Sequence, residues 1–180
     1  MTAKDETDLY VSWSDYRSLI EQLAVQIYES EWPFQSIVCL ARGGLRVGDV
    51  LSRIFDVPLA VLAASSYGGD RQRGQVHFAE QLTLARPPLK SNVLVVDDLV
   101  DSGMTLDAAI PWLEEHHQIE TEQCRTAVLW YKQVSCLKPD YFVEYLPTNP
   151  WIHQPFEDYE NFSAQSLVQR YKESTSMLDA

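Results

Sequence analysis

The run Val93-Leu94-Val95-Val96 is apolar, branched and without a polar break. A strand of that kind is stable only where both of its faces are covered. Further runs of similar character recur at residues 36–40, 59–63, 126–130 and 141–143. Between them lie stretches of helical period, one reaching to about Phe55 and one over 105–115. Strands that alternate with helices imply right-handed crossovers and a mostly parallel central sheet flanked by helices, an α/β fold. Before the first strand, Ser12-Trp13-Ser14-Asp15 supplies N-capping groups, and Tyr16, Leu19, Ile20, Leu23 and Ile27 follow at helical spacing until Pro33. Residues 76–78 and 82–85 read as a short strand pair ahead of Pro87-Pro88, and 163–172 as the core of a C-terminal helix within 163–180. No linker or repeat interrupts the chain, so 1–180 reads as a single domain with 1–9 as a disordered tail.

Charge narrows the function classes. Fourteen Lys and Arg against 26 Asp and Glu leave a formal charge of −12. Such a chain is poorly suited to tracking a phosphate backbone, so no nucleic-acid partner is expected, and an anionic substrate must be held by local devices. No apolar run has the length of a transmembrane segment, and residues 1–10 are acidic, unlike a signal peptide. Cys39, Cys124 and Cys136 form no CxxC pair. The first two sit in apolar runs as small buried hydrophobes, and the set suits a soluble protein of the cytoplasm. The histidine spacings match no zinc motif, and His116-His117 cannot face one ligand from a helix.

In an open parallel sheet, ligands sit beyond the carboxyl ends of strands. After Val96 the chain reads Asp97-Asp98-Leu99-Val100-Asp101-Ser102-Gly103-Met104-Thr105. Asp97 and Asp98 can accept hydrogen bonds from sugar hydroxyls or hold a divalent metal. Residues 101–105 lead into a helix N-terminus with two hydroxyls and open N–H groups, a cradle for a phosphate. Together these suit a ribose 5-phosphate. The plainer alternative is an acidic capping loop that binds nothing.

Residues 93–105 resemble the signature of the type I phosphoribosyltransferases: apolar strand, acidic pair, two aliphatic residues, then D-S-G-x-T. Receiver domains share V-L-V-V-D-D, but there the pair ends the first strand, and no later apolar run here ends in a lone Asp. Further blocks fall in the order of the bacterial xanthine-guanine enzymes: Tyr10-Val11-Ser12-Trp13, Ala41-Arg42-Gly43-Gly44-Leu45, Ser65-Ser66-Tyr67, Lys132 and Trp151-Ile152-His153-Gln154-Pro155.

The resemblance implies a flexible loop and a small base-binding hood on the α/β core. It implies that 5-phosphoribosyl 1-diphosphate and a purine base are the partners, and that Mg²⁺ is the cofactor, held near Asp98. The sugar donor would be bound by Arg42, Gly43 and residues Asp97, Asp98, Leu99, Val100, Asp101, Ser102, Gly103, Met104 and Thr105. A non-proline cis peptide in the diphosphate turn would fall at Arg42-Gly43. Ala41 stands where the family often has Ser.

Lys132 would donate to a purine 6-oxygen, Trp151 would stack on the base, and Ile152 would present backbone groups to its edge. The plainer readings are a solvated edge lysine and a core tryptophan. Trp13, Trp32, Trp112 and Trp130 are left as packing residues. Residues 65–74 resemble the family's mobile catalytic loop, with Arg73 on its arginine and Arg71 nearby; the alternative is a solubilising hairpin tip.

Asp101 would take the purine N7 proton as general base. The implied reaction is purine salvage, forming a nucleoside monophosphate and releasing diphosphate, in a homo-oligomer, dimer or tetramer. Two rival readings stand beside it: a phosphoribosyltransferase for another base, and a non-catalytic regulator that senses the sugar donor. Residues 65–80 contain no lysine, unlike orotate enzymes, and no DNA-binding domain or basic face accompanies the fold.

Overall fold

The computed structural model describes residues 8–66, 76–85 and 87–176, with the side chains of Ser66 and of 173–176 left aside. The elements in chain order are β1 (Leu9–Tyr10), α1 (Trp13–Glu29), β2 (Ser36–Ala41), α2 (Gly44–Phe55), β3 (Leu59–Ser66), β4 (Val76–Phe78) and β5 (Thr83–Leu84). They continue with β6 (Val93–Val96), β7 (Leu99–Val100), α3 (Met104–His117), β8 (Cys124–Lys132), β9 (Tyr141–Leu146), β10 (Ile152–His153) and α4 (Ala164–Ser176). The described residues divide into two compact units, one within 17–149 and the other formed by residues up to 16 together with those from 150 on.

The larger unit is built on a sheet of order β4-β3-β2-β6-β8-β7, with β5 also on β3 and β9 also on β8. Every pairing is parallel except those of β4 and β5 with β3. As the unbroken run demands, all four residues of β6 are fully buried. The core gathers Val38 and Leu40 of β2, Leu62 of β3, Val93 and Val95 of β6, Leu106 and Leu113 of α3 and Val128 of β8. On α1, Leu19, Ile20, Leu23 and Ile27 are buried at the spacing read from sequence.

Strands β4 and β5 do not pair with each other, contrary to the strand-pair expectation. Each pairs with β3, β4 at Ala64–Ser66 and β5 at Ala60–Val61. With eight residues, β3 is long enough to offer one edge to both. Leu99 and Val100, expected within a loop, form a short strand. β6 pairs along β8 as far as Ala127, the Leu129 N–H donates to the Asp98 carbonyl at 2.9 Å, and β7 then resumes at Trp130.

In the smaller unit, Ser12 and Asp15 form a reciprocal cap on α1. The Asp15 N–H donates to Ser12 Oγ at 3.1 Å and the Ser12 N–H to Asp15 Oδ2 at 3.3 Å, worth about 1 kcal/mol. Tyr16 and Phe156 meet edge to face, their centroids 5.7 Å apart. Trp13 is half exposed, so it is only in part the packing residue expected. The expected tail of 1–9 reaches too far, because Leu9 pairs with Ile152 in β10 and Asp8 meets His153. Among the described residues, no helix is long and apolar enough to cross a membrane.

Candidate active site

The larger unit brings two turns together at the carboxyl ends of neighbouring strands β2 and β6. The turn after β2 holds Arg42, Gly43 and Gly44, and α2 begins at once, with no side chain capping it. The non-proline cis peptide is Ala41-Arg42, one bond before the Arg42-Gly43 bond expected. Backbone isomerism depends on how the turn is held by its surroundings, which residue types do not record.

Close approach explains the glycines. A Cβ at Gly43 would collide with the Asp98 carboxylate and come within 2.8 Å of Asp97 Oδ1. One at Gly44 would collide with the Val96 carbonyl. The Arg42–Gly44 turn therefore lies directly on the acidic pair. Within that pair, the Asp98 N–H donates to Asp97 Oδ1 at 2.9 Å, and the Leu99 N–H to Asp98 Oδ1 at 2.8 Å. Burial, and then the neighbouring Asp98 carboxylate, push the Asp97 carboxyl well above the usual range; N–H groups of Asp98 and Gly44 oppose the shift. Gly44 is thus a supporting residue that sequence reasoning missed, although the Gly-Gly pair marked its place.

Downstream, Asp97, Leu99, Val100, Asp101, Ser102, Gly103, Thr105 and Leu106 enclose a hollow of about 100 Å³. A water's share of liquid volume is about 30 Å³, so the hollow has room for a phosphate-sized group. α3 starts at its edge. Among the described residues no side chain caps its Gly103 N-terminus, and the bond from the Met104 N–H to Ser102 Oγ is long at 3.4 Å. First-turn N–H groups are thus left for an anion. Gly103 has φ +83°, and a Cβ there would collide with Ser135 Oγ. The Cys136 N–H donates to the Ser102 carbonyl at 2.9 Å, so the turn after β8 buttresses the cradle. Nothing in the local sequence of 133–137 signals that role.

Lys132 ends β8 with its side chain only 8% exposed, and Nζ lies 3.1 Å from Asp101 Oδ1. This is no solvated edge lysine. Asp101 itself is 61% exposed at its side chain.

In the other unit, Trp151 is 63% exposed, which excludes the core reading and leaves its ring available for stacking. Ile152 is buried in β10. Arg71, Arg73 and most of the 65–74 loop lie outside the described residues. Of the thiols, burial pushes Cys39 and Cys124 up to about 11, and Cys136 is exposed.

A family model described as phosphoribosyl transferase domain matches residues 12–161. The chain is 27% identical over 151 residues to the xanthine-guanine phosphoribosyltransferase of Idiomarina loihiensis, covering 83% of this chain and 87% of that one. It superposes on the xanthine-guanine-hypoxanthine phosphoribosyltransferase of Helicobacter pylori with a TM-score of 0.69 at 26% identity, over 86% of this chain and 97% of that one. The purine phosphoribosyltransferase of Pyrococcus horikoshii gives 0.62 at 27% identity, over 83% and 93% of the two chains.

Proposed function

Since this chain belongs to the phosphoribosyl transferase domain family, we propose that it is a purine salvage enzyme that joins N9 of a 6-oxopurine to C1 of 5-phosphoribosyl 1-diphosphate. Diphosphate is released and a nucleoside 5′-monophosphate formed. The observation that carries the reading is the hollow at the start of α3, where carboxylates suited to a ribose share one wall with a helix N-terminus suited to its phosphate. Solved relatives named as purine enzymes at 26% and 27% identity support a purine as the acceptor.

In this reading, Ser102–Thr105 and the first turn of α3 anchor the 5′-phosphate, so binding energy remote from C1 positions the reacting atoms. Arg42 and Gly43 hold the diphosphate, and Asp97 the ribose hydroxyls. Positive charge develops on the ribose as the leaving group departs, as in glycoside chemistry. Asp101 accepts the N7 proton of the base as the N9–C1 bond forms. Lys132 donates to the 6-oxygen, Trp151 stacks on the ring and Ile152 meets its edge. Arg73 covers the departing diphosphate.

The donor set also fits Mg²⁺. Among the described residues no three His, Cys, Asp or Glu side chains gather into a metal site. Mg²⁺ commonly takes only one or two carboxylates and completes its shell with water and substrate phosphate. Asp98, crowded with Asp97 against Gly43, is the proposed ligand. When bound, the ion offsets charge on the leaving diphosphate. The free cysteines fit the cytoplasm as the site of action, and a homo-oligomer is the proposed assembly.

The test is an endpoint assay with the sugar donor and Mg²⁺, supplying guanine, hypoxanthine, xanthine, adenine and uracil separately. Monophosphate from the oxopurines alone supports the reading; product from adenine or uracil only, or from no base, overturns it. Lys132→Ala should raise the KM for the preferred oxopurine about tenfold or more, because a buried donor at the 6-position is lost. Unchanged kinetics with that base would remove Lys132 from the site.

A further inference from the structure

The proposed base-holding segment is fastened by the other end of the chain. Strands β1 and β10 run parallel, Leu9 opposite Ile152 and Tyr10 opposite His153. The Leu9 N–H donates to the Trp151 carbonyl at 2.8 Å, and the Val11 N–H to the His153 carbonyl at 3.0 Å. Two side-chain contacts reinforce this. The Tyr10 ring lies flat on the His153 imidazole, with centroids 4.3 Å apart and planes 15° from parallel. His153 Nε2 lies 3.1 Å from Asp8 Oδ2. On the far side of the imidazole, Nδ1 lies 3.8 Å from Glu157 Oε2, the same oxygen that accepts from the Trp151 indole N–H at 3.4 Å.

These contacts add little to stability. Tyr10 is 75% exposed and the Asp8 side chain 45%, and polar contacts this open to water are worth little. What they define is the path of residues 151–153. A two-stranded ribbon of two residues a side has marginal order of its own, so its place depends on what pins it. The geometry points to residues 8–11 as a strap that positions Trp151 and Ile152 for the base, with Asp8, Tyr10 and His153 as positioning residues. This rests on the proposed role of Trp151 and Ile152 in holding the purine. A strap that serves base binding equally before and during reaction alters KM for the base and leaves kcat in place.

The test uses the full chain carrying Asp8→Ala with Tyr10→Ala, which removes the Asp8–His153 hydrogen bond and the stack and leaves the acidic loop untouched. KM for the preferred purine should rise about five- to tenfold, with kcat, KM for the sugar donor and Tm held. Asp8→Glu with Tyr10→Phe keeps a carboxylate and a ring and should restore base KM. Leu9→Pro, which deletes the N–H that holds the Trp151 carbonyl, should act in the same direction as the double alanine variant. A base KM equal to the parent's in the alanine variant overturns the strap. So does a rise in both KM values together with a lower Tm, the mark of general loosening. Trp151→Ala run alongside separates the two readings: an unchanged base KM there overturns the base site and the strap with it. A raised KM there beside unmoved strap variants overturns the strap alone.

Discussion

Asp101→Asn should lower kcat by roughly 10²- to 10⁴-fold, the usual worth of a positioned general base, and leave affinity for the sugar donor within a factor of about two. Asparagine has the same shape and keeps an oxygen for the Lys132 ammonium, which sits 3.1 Å from Asp101 Oδ1 in the parent. The buried lysine therefore retains an acceptor, and the surrounding loop has no reason to move. What asparagine cannot do is take a proton. Single-turnover kinetics beside calorimetric titration of the donor would read the two effects apart. An asparagine variant that turns over normally would mean that the proton leaves the base by another route. Asp101→Ala is the less informative change, because it also strips Lys132 of its partner, and a buried cation left unpaired destabilises in its own right.

Gly43→Ala should weaken binding of the sugar donor about tenfold or more and lower stability by about 1–3 kcal/mol, as overpacking does. Gly43 has φ −54° and ψ −53°, ordinary helical angles that alanine adopts freely. The effect is therefore one of space: a Cβ at this position meets the carboxylates of Asp98 and Asp97. Either the Arg42–Gly44 turn lifts or the acidic pair is displaced, and both spoil the place where diphosphate, ribose and metal are proposed to meet. Titration of the donor and a thermal melt read the two effects. A variant that binds the donor as the parent does would show that the turn and the acidic pair do not serve one ligand.

Much of this architecture is written in local pattern. The buried strand Val93–Val96, the helical spacing of Leu19, Ile20, Leu23 and Ile27, and the Ser12–Asp15 cap depend on neighbours within a few residues, so sequence reasoning finds them where the structure has them. The acidic loop was legible for the same reason, as a strand end, a carboxylate pair and a helix start in one continuous stretch. Partnership was not. That β4 and β5 each choose β3 depends on which edge stands open, and that Leu9 pairs with Ile152 joins residues from opposite ends of the chain. The Ser135 hydroxyl behind Gly103 and the Ala41-Arg42 cis bond likewise follow from what packs around each turn.

The sequence alone determined the fold class, the main helices and the central strands, because periodicity and capping act over short separations, and it pointed to the candidate site residues through the acidic loop and a family resemblance. Tertiary structure alone decided that Lys132 is buried against Asp101, that Gly43 lies on the acidic pair, and that residues 8–11 hold the strand of Trp151 and Ile152. Those are contacts between residues distant in the chain, and only the pairing of strands within each unit brings them within reach.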